Sequence, residues 1–363
     1  MRILQVLTHL NIGGITTYAY TLTKYLIRNK IEVAIASSGG SWEEDFHKLG
    51  AKVFTIDTKT KNEFSYKLPI CLHQLSLIKK RFDFDIIHSH TRVTQVLSQI
   101  FSVLSGVPHV ANFHGFYKQH KQRLGRKIFR AQGAKAIAIT PAVKKDLIDF
   151  FGANPANVKI ILSGIDLEIL ERANPTMKLK GSPIIGSSGR LSSIKGFEYL
   201  IKSMPALIRK YPNMHLYILG EGDEEANLSS LAKKLDVISH FTILKNVDLP
   251  DFLNCLDIFC LPSLEEPLGL SVVEAQFFGI PCVVSNVGGL KILVEGFETG
   301  MLAKPKDERS IFEAISILLD NDTLRRKISN NSTKQVLERF DIRQKVNDFI
   351  KVYQETLHEN TRI

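Results

Sequence analysis

Thirteen short runs of β-branched and aliphatic residues, each followed by an amphipathic stretch, recur along almost the whole chain, and this alternation limits the fold more than any other feature. RILQVLTHL, IEVAIASS, KVFTI, DIIHSH, PHVANFHG, KAIAITP and VKIILSG precede Gly164; PIIGSSGRL, HLYILGEG, FTILKN, IFCLPS, PCVVSNVGG and TGMLAKP follow it. Apolar strands spaced by helical patterns are the signature of parallel sheets covered on both faces, so an α/β chain with two doubly wound sheets is expected. Between them, Ile165 to Pro183 loses apolar periodicity and carries Pro175, Gly181 and Pro183. That segment reads as a linker, giving domains at 1–164 and 184–339. The helical pattern from about Phe340, within RFDIRQKVNDFIKVYQETL, is expected to cross back to the first domain, so that 340–363 completes it. A length of 363 residues is enough for two separate cores.

Charge is divided unevenly. Residues 1–180 carry 26 Lys+Arg against 13 Asp+Glu, whereas 181–363 carry 21 against 24. The basic half suits an anionic membrane face or an acidic substrate; nucleic acid is disfavoured because no reader motif accompanies the charge. Cys71, Cys255, Cys260 and Cys282 form no CxxC pair and read as buried thiols, with neither a disulfide framework nor a zinc knuckle. No run of ~20 apolar residues occurs, and the apolar start MRILQVL is too short for a secretory segment, so a soluble cytoplasmic protein is expected.

In open α/β sheets, ligands bind at the carboxyl ends of strands, so the loops there should hold the chemistry. The first carries Gly13 and Gly14 before a helix starting near Thr16, where a phosphate can approach backbone amides closely; a plain tight turn is the bland alternative. The loop in SSGRLSSIKGF ends a strand with Gly189 and Arg190 and opens a helix after Lys195, a fork of donors and a point charge suited to a diphosphate. The third, EEPLGLSVVE, places Glu266 before the Gly269 and Leu270 amides, and Glu274 on the helix that follows. On one ideal helix these carboxylates would be about 12 Å apart, too far to act on one atom but well placed to hold two ends of an elongated ligand. A nucleotide sugar has that order of groups, with Glu266 toward the sugar hydroxyls and Glu274 toward the ribose.

Taken together, Glu266-x7-Glu274, GRL…KG from Gly189 to Gly196, Gly13-Gly14, SGID from Ser163, VGG from Val287 and TGMLAKPKD from Thr299 resemble the retaining glycosyltransferase family 4, in the same order and over nearly the whole chain. The resemblance implies a GT-B fold of two Rossmann-like domains facing a cleft, an NDP-sugar donor, read here as a UDP-sugar, and catalysis without a metal or other cofactor. It implies donor contacts from Gly13, Gly14, Arg190, Lys195, Glu266, Gly269, Leu270 and Glu274, with His114, Arg190, Lys195 and Glu266 carrying the chemistry. His114 matches a family histidine near the donor sugar. Many members have an aromatic where Leu268 stands and Pro-Glu where Leu290-Lys291-Ile292 follow the glycines, departures that bear on which sugar is accepted.

Asp83-Phe84-Asp85 spells D-x-D, a metal-binding pattern of transferases of another fold, but it opens a strand instead of ending one and reads as loop and strand entry. His88 and His90 alternate at a strand end and read as polar residues lining a cleft; no carboxylate or cysteine at a sensible spacing completes a metal set with His114. From Phe116 to Arg130 the segment FYKQHKQRLGRKIFR interleaves six cations with aromatics, suiting peripheral contact with the inner face of a membrane or an acidic acceptor, against a solvated helix as the bland alternative. The expected activity is transfer of a sugar to a cell-envelope glycan or lipid-linked acceptor. The alternatives are a sugar-nucleotide epimerase of the same fold and a non-catalytic nucleotide-sugar-binding protein.

Overall fold

The structure is a computed structural model and describes residues 1–11, 13–60, 62–116, 131–171 and 176–360. The chain forms two compact units, one of Met1–Gly164 with Ile342–Ile363 and the other of Ile165–Asp341.

The first unit is built on β1 (Arg2–Val6), β2 (Glu32–Ser37), β3 (Lys52–Thr55), β4 (Ile86–Ser89), β5 (His109–Phe113), β6 (Lys135–Ala138) and β7 (Val158–Ile160). They make one sheet in the order β3-β2-β1-β4-β5-β6-β7. Every pairing in it is parallel. Helices α1 (Gly14–Arg28), α2 (Glu43–Lys48), α3 (Lys67–Phe82), α4 (Arg92–Ser105) and α5 (Pro141–Asp146) join the strands. Alternation along β1 sends Ile3 into a core beneath α1, α2 and the C-terminal helix Ile342–Asn360, and Leu4 into a second core beneath α3 and α4. The C-terminal helix contributes Ile342, Val346, Phe349, Val352 and Tyr353 to the former core. Its apolar stripe therefore covers one face of this sheet.

The second unit begins with α6 (Leu167–Glu171), whose Leu167 and Leu170 are buried. Beside it, Ile165 bridges Asp341 and its amide donates to the Phe340 carbonyl. The segment between Ile165 and Pro183 is thus partly helical and packed, because two leucines three residues apart supply one apolar face that periodicity over a longer window does not register. The strands β8 (Ile184–Ser188), β9 (His215–Leu219), β10 (Phe241–Leu244), β11 (Ile258–Leu261), β12 (Cys282–Ser285) and β13 (Met301–Ala303) form a parallel sheet in the order β10-β9-β8-β11-β12-β13. Helices α7 (Phe197–Lys210), α8 (Glu225–Lys234), α9 (Leu249–Leu253), α10 (Leu270–Phe277), α11 (Glu308–Asp320) and α12 (Asp322–Arg339) connect or follow them.

In both sheets the strand order reverses beside the first strand of the unit, between β1 and β4 and between β8 and β11. At such a switch point the loops leaving the two strands part to opposite faces and open a crevice. The Gly189–Gly196 loop follows β8 and the Glu265–Gly269 loop follows β11, so topology alone brings them together.

Candidate functional site

In the second unit the two loops meet through charge. Lys195 Nζ lies 2.6 Å from Glu266 Oε2, and Ser263 Oγ donates to the same oxygen at 3.2 Å. Glu266 is only 7% exposed. A buried carboxylate is tolerable here because a cation and a hydroxyl share it. Gly269 adopts φ 95°, in the left-handed region, and lets the chain turn into α10 immediately past Glu266. No side chain caps α10 and no acidic residue occupies its first turn; the Val272 and Val273 amides donate to the Gly269 carbonyl, which leaves the Leu270 and Ser271 amides for an anion. The Glu266 carbonyl accepts from the Gly289 amide, which ties the carboxylate-bearing loop to the Val287–Gly289 turn.

The preceding loop contributes Arg190, which is exposed and has no ion pair among the described residues. Gly189 holds its Cα beside the Lys195 stem, where a Cβ would sit 3.5 Å from Lys195 Cε. A second close approach fixes the end of this loop: at Gly196, φ 64°, a Cβ would meet the Pro262 carbonyl oxygen at 2.3 Å. Only glycine lets the loop before α7 press against the loop after β11.

Glu274 lies one turn into α10, with no side-chain partner among the described residues. Although part of the residue reaches solvent, burial pushes its carboxyl up to about 8. A desolvated acid without a protein partner disfavours its own ionisation, and such groups cluster where a ligand completes the hydrogen bonding. Thus only Glu274 of the two acids is helical; Glu266 stands in the loop before the helix.

In the first unit, Gly13 caps α1 in an extended conformation without a side-chain cap, and a Cβ on Gly13 or Gly14 would meet nothing within 4 Å. These glycines are not required by protein packing, which leaves room for close approach to an uncapped helix terminus. His114 follows β5, with His90 Nδ1 3.2 Å and Asn112 Nδ2 2.9 Å from its Nε2. Tyr18 meets its ring edge-on, the centroids 4.8 Å apart. Burial pulls the His114 imidazole down to about 3, so it is neutral at pH 7 and can both give and accept a hydrogen bond.

His88 and His90 do not line an open surface. They are 0% and 2% exposed, because β4 is central in the sheet and the C-terminal helix packs over it, placing Tyr353 Oη 2.8 Å from His88 Nδ1. Burial lowers both imidazoles well below their ordinary range, and the neighbouring imidazoles add to it. Among the described residues no group of three or more histidines, cysteines or acids is arranged to hold a metal ion. Asp83 and Asp85 sit at the amino end of β4, Asp83 2.7 Å from Arg2 and from Lys79, Asp85 accepting from the Arg2 amide. Of the thiols, Cys71, Cys260 and Cys282 are buried, but Cys255 is partly exposed on the turn after α9. The stretch 117–130 lies outside the described residues, as does Ile12; Phe116 is buried.

Ser263, Asn112 and Tyr18 adjoin the predicted site residues without being singled out by their motifs, whereas His90, read as lining a cleft, is buried beside His114. Ser263 and Asn112 had legible signals, three residues before Glu266 and two before His114; Tyr18 reaches His114 only through the fold.

The buried histidines set an acid limit on stability. His109 and His114 are drawn by burial from 6.5 to about 3, so the unfolded chain binds the extra protons and stability is complete above about pH 6.5 and declines as pH falls toward 3. From pH 7 to pH 5 the loss is about 2 kcal/mol for each independently titrating histidine. The single tryptophan, Trp42, packs against the core of the first unit and reports its unfolding. Its fluorescence midpoint in urea should drop markedly at pH 5; equal midpoints at the two pH values would contradict the buried neutral state.

Residues 12–169 match the model of Glycosyltransferase Family 4 and residues 171–335 that of Glycosyl transferases group 1. The chain is a family 4 glycosyltransferase. Among its relatives is an uncharacterized glycosyltransferase of Haemophilus influenzae, 29% identical over 321 residues, covering 84% of this chain and 89% of that one. The UDP-Gal:alpha-D-GlcNAc-diphosphoundecaprenol alpha-1,3-galactosyltransferase of Escherichia coli is 27% identical over 335 residues, 85% of each chain. The crystal structure of Anabaena HepE in complex with UDP superposes with a TM-score of 0.84 at 19% identity, over 98% of this chain and 100% of that one. The glycosyltransferase therefore has the GT-B fold expected from its motifs, with two parallel-sheet units.

Proposed function

We propose that this transferase moves a sugar from a UDP-sugar, with retention of anomeric configuration, to a cell-envelope glycan or lipid-linked acceptor. The observation that carries the donor assignment is the second-unit arrangement: an uncapped helix terminus and the Arg190 and Lys195 cations, with Glu266 before the helix and the partnerless Glu274 upon it. The UDP bound to HepE and the UDP-Gal donor named for the Escherichia coli relative support the nucleotide, and that relative's diphosphoundecaprenol acceptor supports a lipid-linked one.

In this reading Glu274 accepts from the ribose hydroxyls and is ionised by them, while Glu266 accepts from sugar hydroxyls. The leaving diphosphate draws Lys195 partly away from Glu266 and gathers Arg190 and the α10 amides. Stabilising developing charge with groups already in place is commonly the largest single contribution to catalysis. His114, neutral and held by Asn112 and His90, binds the sugar or acceptor through one hydrogen bond. A front-face path, in which the departing phosphate accepts the acceptor proton, needs no protein base. In this reading the enzyme works on the cytoplasmic side, with 117–130 of the basic stretch as its contact for the anionic inner face of the membrane, Phe116 being buried.

Incubation with labelled UDP-sugars and a polyprenyl-diphosphate sugar acceptor tests this. Labelled glycolipid with the donor's anomeric configuration is expected; an epimerised nucleotide sugar, or binding without turnover, would overturn it. No metal enters the proposed chemistry, so turnover should persist in excess chelator and in Asp83→Asn/Asp85→Asn. Loss restored by Mn²⁺ or Mg²⁺ would contradict that part.

A further inference from the structure

Two neighbouring helices on one face of the first-unit sheet, α3 and α4, have an unusual composition. α3 and α4, 16 and 14 residues long, contain no Asp or Glu, although acids are 37 of 363 residues in the chain and about three would be expected in such a pair. The helices carry five cations: Lys67, Lys79, Lys80, Arg81 and Arg92. The opposite layer of the same sheet is mixed, with Glu43, Glu44 and Asp45 on α2 and Asp348, Glu355 and Glu359 on the C-terminal helix.

Outward positions of these two helices are also apolar. Ile70 and Leu77 are 49% and 41% exposed on α3, and Val103 and Leu104 are 75% and 73% exposed on α4. Tyr66, Ile70, Leu77 and Arg81 follow one another at helical spacing along one stripe of exposed residues. Each helix joins two parallel strands and so runs against them, which puts both last turns at the amino-terminal edge of the sheet. Lys80 and Arg81 thus share that edge with Val103 and Leu104. Acids at that edge are already engaged: Asp83 by Arg2 and Lys79, Asp85 by Arg2, and Glu359, whose neighbour Asn360 donates to the Gly106 carbonyl just past α4, by Lys135. Near the other ends of the two helices, Asp57 is engaged by Lys67, and the buried Glu63 by Arg92. Exposed aliphatics on a mixed-charge surface would be ordinary; on two helices that carry cations and no acids, with the bordering acids paired, they match a bilayer with anionic headgroups above an apolar interior.

We propose that the α3–α4 layer docks on an anionic lipid bilayer, Val103, Leu104, Leu77 and Ile70 entering the interface while Lys80 and Arg81 meet lipid phosphates. None of these residues belongs to the 116–130 stretch, and the proposal does not depend on the identity of the donor or acceptor.

Co-sedimentation of the full chain with vesicles of phosphatidylcholine alone, and of phosphatidylcholine mixed equally with phosphatidylglycerol, tests it. The protein should bind the anionic vesicles selectively. Val103→Ser/Leu104→Ser and Lys80→Glu/Arg81→Glu should each weaken that binding about tenfold or more, with the charge-reversed pair also losing most of the salt dependence. Hydrolysis of soluble donor without acceptor and the circular dichroism spectrum should match wild type, showing that the fold survives. Wild-type protein that ignores anionic vesicles or binds neutral ones equally, or variants that bind like wild type, would overturn the proposal. So would a wild-type dimer that Val103→Ser/Leu104→Ser makes monomeric, since a second copy would then cover this face.

Discussion

Arg190→Ala should lower kcat by about 10² or more while leaving the unfolding transition in place, because removing a group that neutralises developing charge typically costs that much. Folding makes no demand on Arg190, which is exposed and makes no ion pair among the described residues. Lys195→Ala should cost at least as much, for a different reason. It removes a phosphate contact and also leaves the buried Glu266 carboxylate with Ser263 as its remaining partner. Residues in one network couple, so Lys195→Ala combined with Glu266→Gln should fall well short of the sum of the single effects, whereas Arg190→Ala with Glu266→Gln should be nearer additive. Steady-state kinetics on the single variants and the two pairs distinguishes the cases. Near-native turnover in Arg190→Ala would remove it from the donor site.

Glu274→Gln should make the ligand-free protein more stable and the enzyme worse. Burial raises the Glu274 carboxyl to about 8, above its unfolded value of 4.5. A carboxyl raised on folding stabilises fully below its unfolded pKa, and that contribution is lost as pH rises toward the folded value. At pH 7 most of it is gone, and the neutral amide should recover about 1–3 kcal/mol. The same change removes a charged acceptor for the ribose, at a cost of about 1.5–3 kcal/mol in nucleotide affinity. A gain in stability coupled to a loss of binding is the mark of a residue kept for its ligand. Thermal unfolding with and without UDP reads both effects; a Glu274→Gln protein less stable than wild type would contradict the desolvation argument.

Much of this architecture was legible because local patterns carry it. The quoted runs coincide with β1 to β13, since in a parallel sheet each strand is apolar on both faces and interrupted by helix-length amphipathic stretches. The loops holding Gly189, Arg190, Glu266 and Gly269, and the helix start that carries Glu274, were recognisable because glycine, cation and acid recur at fixed offsets from strand ends. The Lys195–Glu266 ion pair was not, being made across 71 positions by strand order at a switch point. Nor was the burial of His88, whose partner Tyr353 comes from the C-terminal helix 265 positions away. Alternation correctly put His88 and His90 on one face of a strand; which helix would cover that face is a tertiary fact. The packed α6 escaped notice because five residues are too few to display a helical period.

The division of the donor between two carboxylates is tested most directly by calorimetric titration of UDP into Glu274→Gln and Glu266→Gln side by side. Glu274→Gln should weaken UDP by roughly tenfold or more, one charged hydrogen bond being worth about 1.5–3 kcal/mol. Glu266→Gln should leave UDP affinity unchanged or slightly tighter, since Lys195 is then free to meet phosphate, while turnover and discrimination among sugars decline. Equal losses of UDP affinity in both variants would contradict the account.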